Sequence, residues 1–252
     1  MAARTTRRRP AVLSSVSALV LELTAALGLL VAAAVAGLLL VHRPWPNRLD
    51  VWGFSLVPED LGSRAYHDVA DLGSAPVFAA GILVLAAASW WRDRARALAA
   101  VLGPALAVVV TERIAKPLVG RHAVLGGNSY PSGTVTAVAA LAVLVVLVAP
   151  RLLRPLAALF SAVALLAVCV AVVGMRWHYP TDTLGGICIG AGSVLLVDAL
   201  AHLPGTLRSR ADRAGVGQAS SPSTDSGSSS HAPDSTASTR SRGTWSSSHS
   251  SS

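Results

Sequence analysis

Long apolar runs broken by short polar clusters set the pattern of this chain. Six blocks dominated by Ala, Val and Leu cover residues of about 15–41, 72–91, 96–115, 132–149, 155–174 and 182–203. A helix needs about 20 consecutive apolar residues to cross a bilayer. These blocks are continuous, without the 3.6-residue striping of a soluble amphipathic helix. The pattern predicts an all-α, polytopic membrane protein with six transmembrane helices across residues 15–204. A soluble helical bundle is the weaker alternative, because so little amphipathic chain remains to cover six greasy helices. The first block follows Arg4, Arg7, Arg8 and Arg9. It exceeds the ~7 to 15 residues of a signal-peptide core and reads as an uncleaved span.

Charge then orients the spans. Arg92, Arg94 and Arg96, Arg151 and Arg154, and Arg208, Arg210 and Arg213 fall on the same side as the arginine-rich residues 1–14. By the positive-inside bias that side is cytoplasmic, so both termini are expected there, in a multi-pass protein of the cell membrane. The net charge of +8 then reflects topology and anionic headgroups, and no pattern of a nucleic-acid module is present. Residues 42–71 carry Trp45, Trp52, Phe54 and Tyr66 and are expected to lie along the outer interface. Residues 205–252 are rich in Ser, a composition expected to stay disordered as a cytoplasmic tail. Cys169 and Cys188 fall inside spans with no metal-ligand or redox spacing and read as small packing residues. Nothing in the pattern specifies an oligomeric state.

Three polar clusters interrupt the apolar blocks, all on the side opposite the basic turns: Lys116 to Arg121, Tyr130 to Thr134, and Arg176 to Asp182. Pro131, Ser132 and Gly133 open the fourth block, where exposed amides and the positive end of a helix dipole suit an anion. Taken alone, Ser-Gly is also an ordinary helix cap. His178 precedes Asp182 by four residues, a spacing that lets a carboxylate hold one ring nitrogen and leave the other nucleophilic. Lys116, Arg121 and Arg176 are suited to phosphate oxygens, although basic residues near span ends commonly snorkel to the interface. Their position against the positive-inside bias favours the phosphate reading. Glu112 and Arg113 fall one turn inside the third block and read as an internal pair or support to the site, while Glu22 and Asp198 have no assigned role.

In order and spacing, Lys116-Pro117-Leu118-Val119-Gly120-Arg121, Tyr130-Pro131-Ser132-Gly133 and His178-Tyr179-Pro180-Thr181-Asp182 resemble the three motifs of the membrane-bound type 2 phosphatidic acid phosphatase superfamily. The similarity covers about residues 70–200, with the motifs inside 112–182. It implies six helices carrying an extracytoplasmic site without metal or cofactor, acting on a lipid phosphate or diphosphate. By the same resemblance His178 is the nucleophile that forms a phosphohistidine and Asp182 orients it. Lys116, Ser132 and Gly133 bind phosphate. Three positions depart from the family: Ala123 and Val172 stand where it has arginines, and Thr134 stands where it has the histidine that protonates the leaving group. Arg121 and Arg176 are the nearest replacements for the charges, and His122 or Thr134 for the acid. A weakened acid favours a good leaving group, hence isoprenyl diphosphates over phosphatidate. Besides the phosphatase, a weakly active relative that binds lipid phosphate and a transporter or scaffold remain open.

Overall fold

A computed structural model describes residues 10–43, 45–60, 62–123 and 126–219. Among these residues the chain is all helix, with one isolated bridge between His122 and Asn128. The helices are α1 (Pro10–Leu40), α2 (Arg48–Leu56), α3 (Arg64–Ala70), α4 (Ala75–Trp90), α5 (Arg94–Val109), α6 (Lys116–Val119), α7 (Gly133–Val148), α8 (Arg154–Gly174) and α9 (Pro180–Ala219). A 3-10 turn, Asp71–Gly73, joins α3 to α4, and a π-helical turn, Val110–Ala115, joins α5 to α6. Met1–Asp212 forms one compact unit and Arg213–Ser252 a second, whose described part is helical. Residues 205–219, expected in the tail, therefore belong to a helix, and the tail from 220 onward lies outside the described residues.

Of the six expected spans, four correspond to helices long and apolar enough to cross a membrane, and a bent pair would make five. Val16–Leu40, Arg94–Val119, Arg154–Gly174 and Pro180–Gly205 are long and apolar enough to cross a membrane. Arg64–Gly73 and Ala75–Trp90 meet at 44°, the geometry of a broken span or of a re-entrant loop. The break falls at Ser74, which is extended at ψ 151, just before Ala75 and Pro76 begin α4. The remaining candidate, α7, has 16 residues. At 1.5 Å per residue that is about 24 Å, short of the roughly 30 Å hydrocarbon core. Ser132 caps its start, and Ala149, turned extended at ψ 138 ahead of Pro150, ends it.

This short helix is the centre of the unit. Helices α4, α5 and α8 pack on it, and Val135 to Ala140 is buried without a break. Helix α9 closes the remaining side by glycines. A Cβ on Gly186 would lie 2.7 Å from the Ser132 carbonyl, and one on Gly190 would strike the Thr136 carbonyl. Small residues four apart let two helices touch backbone to backbone, the usual device where lipid supplies no hydrophobic drive between helices.

Residues 42–71 do more than line an interface. Phe54 and Tyr66 pack onto the core formed by Val172, Val173 and Met175, and Gly53 rests on Pro180. Trp45 and Trp52 face outward. Glu22 and Asp198, without a role in the sequence, meet as hydrogen-bond partners at the far end of the unit. There Arg96 reaches Asp198 at 3.2 Å, and His202 lies 2.9 Å from Asp93.

Candidate active site

The three clusters converge where α6 ends, α7 begins and α8 turns into α9. Lys116 follows the π-helical turn, a form that recurs at functional sites because its extra residue re-aims side chains. Its Nζ lies 2.7 and 2.9 Å from the two carboxylate oxygens of Glu112. Both groups hang over Gly133: a Cβ there would come 2.8 Å from Glu112 Oε1 and 3.5 Å from Lys116 Nζ. The missing side chain is what lets charged groups approach the start of α7.

That helix start offers amides, shifted by one residue from expectation. The Ser132 amide donates to the Asp182 carbonyl at 3.1 Å, and the Ser132 hydroxyl accepts from the Val135 amide at 3.4 Å. Ser132 is fully buried and serves as a helix cap and interhelix strut. The amides of Gly133 and Thr134 are the two of the first turn left without a protein acceptor among the described residues. They point along the helix axis at its positive end.

His178 lies in the α8–α9 turn, within electrostatic reach of Lys116. Its Nδ1 is 2.9 Å from the Ser129 carbonyl. A carbonyl only accepts, so Nδ1 carries the proton and Nε2 keeps its lone pair. Burial pushes the pKa of this ring down to about 4, the Lys116 charge acting the same way and the Ser129 bond opposing it. The imidazole is therefore neutral across the physiological range.

Asp182 does not take the expected position against the ring. One carboxylate oxygen accepts from Arg121 Nη1 at 2.7 Å and the other from the Tyr179 amide at 3.0 Å. Its link to His178 passes through Ser129, whose hydroxyl is a hydrogen-bond partner of Asp182 and whose carbonyl holds the ring.

Arg121, expected to bind phosphate, is instead fully buried. Its Nη2 lies 2.6 Å from Asp50, its Nη1 also reaches Thr181 Oγ1 at 2.8 Å, and the guanidinium stacks 3.9 Å from the Tyr179 ring. Asp50 further accepts from the Thr181 amide and hydroxyl at 3.0 and 2.7 Å and from the Asn47 amide at 3.0 Å. One guanidinium between two buried carboxylates thus ties α2 to the start of α9. It fixes the floor behind His178.

Arg176 turns away too. It holds φ at 57°, pairs with Glu59 at 2.9 Å and lies 4.0 Å over Phe54. His122 is exposed in the 121–129 loop, bridged to Asn128 and without contact to His178. Thr134 sets its methyl group against Gly73. Of the residues expected at the site, Lys116, Gly133 and His178 come together, with Asp182 one residue removed and Ser132 in a capping role. Glu112, read from sequence as a pair with Arg113 or as support to the site, pairs with Lys116 instead, and Ser129, Asp50 and Thr181 were not assigned to the site from sequence. Glu112 carried a usable signal, its four-residue spacing from Lys116.

The apolar helices and this polar pocket define a multi-pass membrane protein with an anion-suited site at one end of its bundle. Residues 19–202 match the family model of the PAP2 superfamily, so the chain belongs to that superfamily, a lipid phosphatase family whose members are typically phosphatases. No curated protein and no solved structure gives a significant match.

Proposed function

We propose that the chain is a lipid phosphatase that works through a phosphohistidine on His178 at the extracytoplasmic face, with isoprenyl diphosphates the preferred substrate class. The observation that carries this reading is the imidazole itself. It is neutral, held through Nδ1 by Ser129 so that Nε2 keeps its lone pair, and lies within electrostatic reach of Lys116, whose ammonium in turn overhangs Gly133 at the start of α7. Nε2 attacks phosphorus as the bond to the leaving oxygen breaks, and the developing charge on the equatorial oxygens falls on Lys116 and the amides of Gly133 and Thr134. Water then attacks the phosphohistidine, releasing inorganic phosphate and restoring the ring. Asp182 acts on this step through Ser129, as a positioning residue. A diphosphate leaves as a lipid monophosphate and needs less protonation than an alcohol, which suits a site with Thr134 in the family's acid position. In this reading α7 and the bent α3–α4 pair complete six crossings, and both termini are cytoplasmic.

A second reading, a relative that binds lipid phosphate with little turnover, is favoured by one pairing. Glu112 occupies Lys116, so the cation that would meet substrate already has a partner. Phosphate release from a panel of lipid phosphates and diphosphates, in chelator, separates the two. The wild type should turn over a diphosphate, and His178→Ala should lower kcat by at least about 10³-fold. Equal release by both proteins refutes the mechanism, and release by neither on any lipid favours the binding relative.

A further inference from the structure

At the end of the bundle opposite His178, a cavity of about 210 Å³ opens between the last turn of α4, the start of α5, the end of α7 and the turn into α8. Arg92, Arg96, Arg151 and Arg154 line it, with Asp93 the single acid among its walls. Positive-inside bias explains arginines on this face but not their grouping around a hollow. Arg94, from the same turn, stacks instead on the Trp90 ring at 5.8 Å and stays outside.

The charges inside do not cancel. Asp93 has both oxygens engaged elsewhere, one by the Arg96 amide at 3.1 Å and one by His202 at 2.9 Å. Arg96 is held by the buried Asp198 at 3.2 Å and donates to the Leu147 carbonyl at 3.1 Å. Arg154 donates to the Ala149 carbonyl at 3.3 Å, which carries no countercharge. Those two guanidiniums also cover the negative pole of α7, which would otherwise repel an anion. The side chains of Arg92 and Arg151 are exposed and have no hydrogen bond or ion pair among the described residues. Three cations therefore face the hollow without an acid of their own.

Size and rim narrow the ligand. The volume is below the roughly 300 to 1,000 Å³ of sites for drug-sized molecules, which suits a headgroup phosphate better than a nucleotide. Trp91 and Leu152, next in sequence to the two free arginines, are 88% and 90% exposed. Such side chains belong at the headgroup boundary.

We propose that this cavity is a second anion site, in which Arg92, Arg151 and Arg154 bind a phosphate group while Arg96 forms a fixed wall. An anionic phospholipid of the adjoining leaflet or free inorganic phosphate supplies the same chemistry. The site is independent of turnover at His178.

The test uses the full chain with Lys116→Gln in every sample, which removes the cation of the candidate active site. One arm counts phosphatidylglycerol retained by the purified protein in native mass spectrometry. The other measures inorganic phosphate by the rise in unfolding temperature. Arg92→Gln with Arg151→Gln should weaken binding at least about tenfold in one arm, while Arg94→Gln leaves it unchanged and Arg151→Lys with Arg92→Lys restores most of it. Loss confined to the lipid arm assigns a headgroup, and loss confined to the phosphate arm assigns the free ion. Binding unaltered in both arms by the double glutamine variant, in protein that elutes as the wild type does, overturns the site.

Discussion

Two basic side chains five positions apart have opposite physical fates. Lys116 is partly exposed and its pair with Glu112 is of the open, helical i,i+4 kind, worth about 0.3–0.5 kcal/mol. Arg121 is sealed between Asp50 and Asp182. Removing it leaves two buried carboxylates uncompensated, a change that costs about 3–5 kcal/mol. Lys116→Gln should therefore leave the unfolding midpoint nearly unchanged while lowering kcat/KM at least about 10²-fold, and Arg121→Ala should lower the midpoint or abolish insertion. Unfolding scans beside activity assays check both. His178 gives a pH signature. Its folded pKa, about 4, lies below the ordinary value of 6.5. Between those values the unfolded chain binds a proton that the native ring refuses, so this group lowers stability as pH falls from 6.5 towards 4. Over the same window the ring stays nucleophilic. In ¹⁵N-histidine spectra the resonance lost in His178→Ala should titrate near pH 4; titration near 6.5 would show an open, solvated ring. These roles were only partly legible in sequence. Lys116 and His178 stand in spaced motifs, whereas the partners of Arg121 lie 61 and 71 residues away. The ring of His178 is held by a backbone carbonyl, and every residue type has one.

At the scale of elements, the approach of α6 to the start of α7 decides whether anions reach the free amides. Gly133→Ala introduces a Cβ whose first obstacle is the end of the Glu112 side chain, which swings aside without moving backbone. The fold should persist, the Glu112–Lys116 pair should separate, and substrate KM should rise several-fold with little change in unfolding temperature. Kinetics that match the wild type would place the anion elsewhere. Gly186 is different, because there the obstacle is the Ser132 carbonyl and a side chain would part α9 from α7. The apolar runs made most helices legible, since a continuous Ala-Val-Leu block has few other solutions in a bilayer. The boundaries of α4 and α7 were less so. They depend on Ser74, Ser132 and Ala149 leaving helical geometry, and composition alone does not register that.

For the whole molecule, the proposed orientation makes the 121–129 loop external and the end of α9 cytoplasmic. In a variant without Cys169 and Cys188, an impermeant thiol reagent applied to intact cells should label a cysteine at Gly126 and spare one at Ser209. The reverse pattern inverts the topology. The brevity of α7 carries a further meaning on this scale. Its start is the floor of the candidate site, yet the helix is about 6 Å shorter than a hydrocarbon core is thick. Helices α4, α5 and α8 pack along its length and hold its start in place. A headgroup reaching His178 must then sink below the plane in which its neighbours float, and the depth of that descent grows with membrane thickness. On the proposed function, turnover at His178 would be slower in a thick bilayer than in a thin one, which would make its rate a gauge of the membrane that holds the protein.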